Sequence, residues 1–596
     1  MTQKQQQSNT VSSSRDNILT KSKAKGGGTA LNDFFIAVFG LCFLLSLSLN
    51  FVHDSEAVPH SHNTAIEKAV QEFKQGYSSK GIFKPGFSYK RINTTTTKTT
   101  TNTQRKLAEL NCERWGGPSK DLAQEMVYWE DIPSDEHFVS PFKREGETKY
   151  MTFEPDGGGW NNIRMAMEST IGLAVAMGRT LVMPPQKQMY LLGKGGKNQQ
   201  HHFTFVDFFP IEEMANEHVG LDVISMKEYL ETQALTGKLK NRETGLVEFP
   251  PGNRTDWDGI NGRDYDVLRG YLRNVSETMP WTPGKCLPAF PSSGNHKDVE
   301  FLQELVQKAR KNPPLGNPVA VDDPNPLGRL EETLAGRKAL CVYDEHIQSL
   351  PVIHFQMNHK LHLRLLVHFY AFLFFEDWKE DLWMKRFVRD HIHYVDEIQC
   401  AAARVVNAVR DHARKRNPDK NPNGVFDSFH IRRGDFQFKT TRIPATEIYE
   451  NSKDKLTANS TIFIATDERD KSFFDPLREQ YDVLFLDDFS ELLKGVNTNY
   501  FGMIDQLVSS RGRIFFGCFF STFTGYIMRV RGYHSVKDKQ PGHEDGILPD
   551  SYYYATIDKK LIMHTYTPLR GGFFNREFPT SWRDINKGIG MLQNKK

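Results

Sequence analysis

The chain has 596 residues, 38% of them hydrophobic and 25% charged, which is too much for one small core and enough for two packed domains with appendages. Its 76 Lys and Arg against 73 Asp and Glu leave a net charge of +3 with no basic block dominating the body, so no nucleic-acid partner is expected.

From Phe34 to Val52 the chain runs 19 residues without a charge, enough at about 1.5 Å per residue to cross a hydrocarbon core of roughly 30 Å. The long polar leader and the lack of an Ala-x-Ala-like site afterwards favour an anchor over a cleaved signal peptide. Lys4, Arg15, Lys21, Lys23 and Lys25 precede the span, whereas Asp54 and Glu56 follow it and the next basic residue is Lys68. By the positive-inside rule residues 1–33 are a cytoplasmic tail, 34–52 the membrane anchor, and everything later luminal, a single-pass type II arrangement in the Golgi or endoplasmic reticulum. Residues 53–107, with the Thr-rich tract Asn93–Gln104, read as a disordered luminal stem.

Of six cysteines Cys42 lies in the span, leaving Cys112, Cys286, Cys341, Cys400 and Cys518. An oxidising lumen suits one or two disulfides, but spacing does not give their connectivity. Asn93, Asn253, Asn274 and Asn459 head glycosylation acceptor triplets compatible with that lumen.

Lys149–Gln186 reads as strand, tight Gly loop, helix, strand, with Met165, Ile171, Leu173, Ala174 and Met177 on a buried helix face. Gly157, Gly158 and Gly159 allow close backbone approach to a ligand or simply serve a β-α turn. Between Pro250 and Pro326 the chain is irregular. Its Asp256-Trp-Asp258 and Asp264-Tyr-Asp266 triplets resemble a manganese site by chance, and Gly193–Asn198 lacks the spacing of a phosphate loop. Leu361–Phe375 reads as an apolar helical block bridging two lobes. The histidines in or near it, His354, His359, His362 and His368, are better explained as packed or solvated structure than as metal ligands.

From Val425 onward four β-like runs alternate with helix-compatible segments: Val425–Arg433, Thr461–Asp467, Asp482–Asp488 and Arg513–Phe520. That alternation predicts an open α/β layer around a parallel sheet, with ligand bound beyond the carboxyl ends of the strands, where His430, Arg432, Asp435, Asp467, Ser521 and Thr522 fall. In His430–Asp435 two arginines, a glycine and an aspartate follow a buried strand. The planar guanidinium fork suits a diphosphate, and a structural Arg–Asp pair is the alternative. Ser521, Thr522 and Thr524 open a helix, as caps or as phosphate ligands.

The ordered set GGGWNN, HIRRGDF, FIATDE, IDQ and FFGCFFSTFTGYIMRVR, over roughly Tyr150–Tyr533, resembles the protein O-fucosyltransferase family. The resemblance implies a GT-B-like α/β fold of two Rossmann-type lobes facing a cleft: an acceptor-side lobe over 145–350, a helical bridge over 351–424 and a GDP-sugar-binding lobe over 425–596. It implies inverting transfer of fucose from GDP-fucose to a glycoprotein or glycan acceptor, without metal or other cofactor.

Carried over by residue, the resemblance makes Arg432 the catalytic arginine on the donor diphosphate. His430 and Asp435 place the donor, Asp467 and Asp505 line the GDP pocket, and Ser521, Thr522 and Phe523 contact phosphate and base. Gly158, Gly159 and Asn161 form the opposing loop. Some members carry a Glu base where this chain has Gly158, which leaves Asp156 as the candidate base, or as a turn-stabilising carboxylate, with a donor phosphate oxygen as the alternative proton acceptor. Two rivals stand beside this reading: the same fold with another sugar, rhamnosyl- or α1,6-fucosyltransferase-like, and an inactive sugar-nucleotide or glycan-binding protein.

Overall fold

Two five-stranded parallel sheets organise the protein, with their central strands buried at nearly every position. The structure, a computed structural model, describes residues 108–190, 192, 202–257, 262–310, 318–358, 360–434, 436–555 and 577–592. All lie in one unit spanning Gly86–Lys596. The tail, anchor and stem expected over 1–107 lie outside the described residues, as do Asp258, His359, Asp435 and the Gly193–Asn198 loop. Among the described residues no helix is long and apolar enough to cross a membrane.

The N-terminal lobe begins as expected: strand β1 (Tyr150–Phe153), a glycine loop, helix α1 (Trp160–Ala176) and strand β2 (Thr180–Met183). Helix α1 is buried on nearly all sides, its polar residues Arg164 and Glu168 included. Strand β3 (Val223–Ser225), helix α2 (Gly262–Val275) and strand β4 (Glu277–Thr278) follow. A smaller sheet comes next in the chain: β5 (Cys286–Phe290), helix α3 (His296–Ala309), helix α4 (Pro326–Leu334) and β6 (Ala339–Val342). The disulfide Cys286–Cys341 ties β5 to β6.

The stretch expected as a helical bridge over 351–424 is only partly helical. Strand β7 (Val352–Phe355) pairs with β1 inside the first sheet, whose order is β3-β2-β1-β7-β4. Leu361–Phe375 is not a helix: Leu363 bridges back to Asn358, Phe369–Ala371 makes a single 3-10 turn, and β8 (Phe374–Phe375) pairs with β5. The reason is burial. Phe369 to Phe375 is buried at every position, so the run carries no helical period, and its aromatic content suits extended chain. Helices α5 (Trp378–His391) and α6 (Asp396–Arg416) supply the helical remainder, and Cys112–Cys400 fastens the start of the described chain to α6.

In the C-terminal lobe the four expected runs are strands β9 (Asp427–Ile431), β10 (Thr461–Thr466), β11 (Asp482–Leu484) and β12 (Phe515–Cys518). Helix α7 (Ala445–Ser452) links β9 to β10, and helix α8 (Phe501–Ser510) precedes β12. Helix α9 (Thr522–Lys537) and a fifth strand, β13 (Ser551–Ala555), complete the order β11-β10-β9-β12-β13.

His354 and His368 are held by structural contacts. His354 is buried between Thr152, 2.8 Å away, and Glu154, 3.1 Å away, and His368 lies against Glu577 at 3.2 Å. Asp264 is paired with Arg254 at 2.7 Å and Asp266 with Arg269 at 3.3 Å, which occupies both carboxylates of that triplet.

Candidate active site

In both five-stranded sheets two central strands that are neighbours in space are distant in sequence, and a crevice opens at this switch point beyond their carboxyl ends. In the C-terminal lobe those strands are β9 and β12, which deliver Arg432 on one side and Ser521–Phe523 on the other. In the N-terminal lobe they are β1 and β7, which deliver the Gly157–Gly159 loop and, further along, Arg364. The lobes touch across this line: Gln506 donates to Asn161 at 2.8 Å and Thr522 donates to Asn162 at 3.1 Å. A cleft of about 710 Å³ lies between them.

Arg432 is aimed by Asp467. One carboxylate oxygen of Asp467 accepts the Arg433 backbone N–H at 2.7 Å, and the other accepts the Gly434 N–H at 2.8 Å and the Arg432 guanidinium. Gly434 has to be glycine here, because a Cβ would stand 2.3 Å from the Asp467 carboxylate. Arg433 points elsewhere, to Glu468 at 2.8 Å and over the Phe473 ring at 3.7 Å. Of the two arginines only Arg432 lines the cleft. Asp467 lies on the cleft wall as expected, yet its carboxylate is engaged in holding the loop.

His430 is buried, stacked on Phe523 at 4.3 Å, with Nδ1 2.7 Å from the Thr524 hydroxyl. That hydroxyl accepts the Cys518 N–H at 2.8 Å, so we assign its own proton to His430 Nδ1 and leave the imidazole N–H at Nε2. Burial, then the neighbouring Arg432 cation, push the His430 pKa down to about 3, so the ring is neutral in ordinary buffers. Ser521 caps helix α9 by accepting the Phe523 N–H at 3.3 Å. Asp505, on α8, faces the same cleft, and one of its carboxylate oxygens is buried without a partner among the described residues. Burial, then the Asp487 charge, raise its pKa well above the usual carboxylate range.

On the N-terminal wall a side chain at Gly158 would crowd its neighbours: a Cβ would lie 2.7 Å from Asn162 Nδ2 and 2.9 Å from Asp156 Oδ1, so one of them would have to shift. Gly159 is the N-cap position of α1, and Asn161 lines the cleft while its amide oxygen accepts from Gln506. Asp156, the candidate base, stands behind the cleft wall. It is 2% exposed and absent from the cleft lining. Its oxygens accept the Gly158 N–H at 2.7 Å and both Arg364 Nε and Nη2 at 2.7 Å. Arg364, which reaches the cleft, is a residue that sequence reasoning missed; only knowing that the preceding strand β7 lies beside β1 would have marked it.

Weak likenesses to solved fucosyltransferases exist. They include NodZ from Bradyrhizobium (13% identity over 64% of this chain and 94% of that one, TM-score 0.28) and POFUT1 in complex with GDP (13%, 70% and 100%, TM-score 0.29). A mutant of Arabidopsis thaliana FUT1 in complex with GDP is similar at the same level (12%, 71% and 74%, TM-score 0.30). No curated protein matches the sequence. The sequence profile of the GDP-fucose protein O-fucosyltransferases, by contrast, matches residues 150–534, more than half the chain and both walls of the cleft. The protein therefore belongs to the GDP-fucose protein O-fucosyltransferase family and is a glycosyltransferase.

Proposed function

We propose that the enzyme transfers fucose from GDP-fucose to a hydroxyl of a glycoprotein or glycan, with inversion and without a metal ion. The observation that carries this reading is the Arg432 guanidinium, fixed by Asp467 at the C-terminal switch point beside the start of α9. The diphosphate lies against Arg432 and the α9 N-terminus, which together stabilise the charge that develops as GDP leaves. The guanine edge, which offers two adjacent N–H donors, suits the unpartnered Asp505 carboxylate. The acceptor oxygen bonds to the anomeric carbon as the bond from that carbon to the phosphate oxygen breaks, its electron pair leaving with GDP. With Asp156 engaged by Arg364, the hydroxyl proton passes to a donor phosphate oxygen.

The test is turnover with a panel of nucleotide sugars in the presence and absence of EDTA. GDP-fucose consumed, equally with chelator, with α-configured product from the β-linked donor, is the expected result. Turnover of a UDP-rhamnose alone would change the sugar, strong EDTA inhibition would remove the metal-free step, and binding of GDP-fucose without turnover would favour a binding protein.

The luminal, type II placement in Golgi or endoplasmic reticulum belongs to this proposal too. It is supported by two disulfides, which form in oxidising compartments, and by acceptor-triplet asparagines at the exposed positions Asn253, Asn274 and Asn459. Treatment of the cell-expressed protein with peptide N-glycosidase F is expected to raise its gel mobility; an unchanged band would count against luminal exposure.

A further inference from the structure

Resting on the donor-binding reading above, we infer that Arg364 is a second guanidinium for the nucleoside diphosphate, supplied from the N-terminal lobe and aimed by the buried carboxylate of Asp156. Three observations carry it. First, Asp156 grips Arg364 through Nε and Nη2, both at 2.7 Å, and Asp156 itself is 2% exposed. A bidentate pair on one edge of the guanidinium fixes its plane and leaves Nη1 without a hydrogen-bond partner among the described residues. Second, Arg364 lines the cleft that also holds Arg432, although the two residues come from different lobes. Third, the wall around Arg364 is built for an anion. Helix α1 starts there with no acidic residue in its first turn and no side-chain cap, and α9, facing it across the Thr522–Asn162 contact, likewise has no acid in its first turn.

With one edge held by Asp156, the other edge of the Arg364 guanidinium can donate to an anion, and of the groups that react the donor diphosphate is the anionic one. Arg364 thus contributes to binding from the side opposite Arg432, and a bound diphosphate links the two lobes. The same device accounts for Gly158. The pocket that a side chain at 158 would occupy is filled by Asp156 and Asn162, so this chain has a positioned cation on the wall where a carboxylate would otherwise stand. Asp156 is a positioning residue, because it reaches the ligand only through Arg364.

The experiment is titration of GDP and, in parallel, UDP into the full-length protein and its variants at two ionic strengths, with thermal midpoints recorded. Arg364→Gln is expected to raise the Kd for the bound nucleoside diphosphate about tenfold or more and to flatten its salt dependence, as loss of a charge-assisted contact requires. Asp156→Asn should weaken binding less. Asp156→Asn/Arg364→Gln should be no worse than Arg364→Gln alone, because the carboxylate acts through the arginine. The double variant also removes the buried charge that Arg364→Gln would orphan, so it reports on binding even if the single variant folds poorly. Unchanged affinity in the folded double variant, additive losses, or a rise confined to the acceptor KM would overturn the inference. A wild-type protein that binds UDP and not GDP would overturn the GDP reading and leave Arg364 to be judged on UDP; one that binds neither would overturn both.

Discussion

Arg432→Lys is expected to lower turnover by about a hundred- to a thousandfold while weakening GDP binding far less, and Arg432→Ala to lower it further. The loss is geometric before it is electrostatic. Lysine keeps the charge, but Arg432 is both held by Asp467 and part of the cleft lining, and a compact ammonium cannot reproduce the planar, multi-donor fork that does both. The loss falls mainly on kcat because negative charge on the diphosphate grows as the sugar–oxygen bond breaks, so the interaction is strongest in the transition state. It should also be independent of pH across the neutral range. His430, the nearest titratable ring, has its pKa near 3, so it stays neutral at every working pH above that and cannot take over as a cation. Initial rates of GDP-fucose consumption, beside GDP titrations of the same variants, check this. Turnover preserved in Arg432→Lys would mean that leaving-group stabilisation lies elsewhere, with Arg364 the first place to look.

The C-terminal half of this site could be read from the sequence because it is local. Strands β9 to β12 are β-prone runs separated by helix-compatible segments, and ligands bind beyond the carboxyl ends of such strands; that rule pointed to His430, Arg432, Asp435, Asp467, Ser521 and Thr522, and the family resemblance added Phe523. What the rule does not give is the direction of a side chain. Arg432 and Arg433 were equivalent until Asp467 and Glu468 took one each. On the N-terminal side the decisive contact joins Asp156 and Arg364, 208 positions apart, across strands paired only in the folded sheet. No local spacing encodes that pair, so Asp156 looked like a free loop carboxylate and Arg364 like part of a helix. The Leu361–Phe375 segment misled for a related reason, since apolar residues buried on every side carry no period by which helix and extended chain can be told apart. Strand β13 (Ser551–Ala555) was not among the four runs the sequence reading picked out, and it is identified by its pairing with β12.

Glu168→Gln is expected to destabilise the folded enzyme by about 3–5 kcal/mol, although it changes one atom far below the cleft floor. Glu168 is fully buried on α1 and joins Arg164 of the same helix to Arg529 of α9, the latter at 2.6 Å. Arg529 in turn holds Glu577 at 2.6 Å, and Glu577 accepts the Tyr370 hydroxyl at 2.6 Å. Two buried cations and two buried anions thus bolt together the two helices whose first turns form the cleft. Glutamine fills the same volume but leaves two guanidinium groups to share one carboxylate in a medium that screens them poorly. The cost is that of an uncompensated buried charge, not of a lost contact, and this makes a further result decisive. Arg164→Met/Glu168→Leu removes one charge of each sign and leaves the Arg529–Glu577 pair intact, so it should be more stable than Glu168→Gln despite deleting more atoms. Thermal or denaturant midpoints rank the three proteins, and GDP titration reports whether the helix starts keep their places. If the double variant is the least stable, packing rather than charge balance holds α1 against α9.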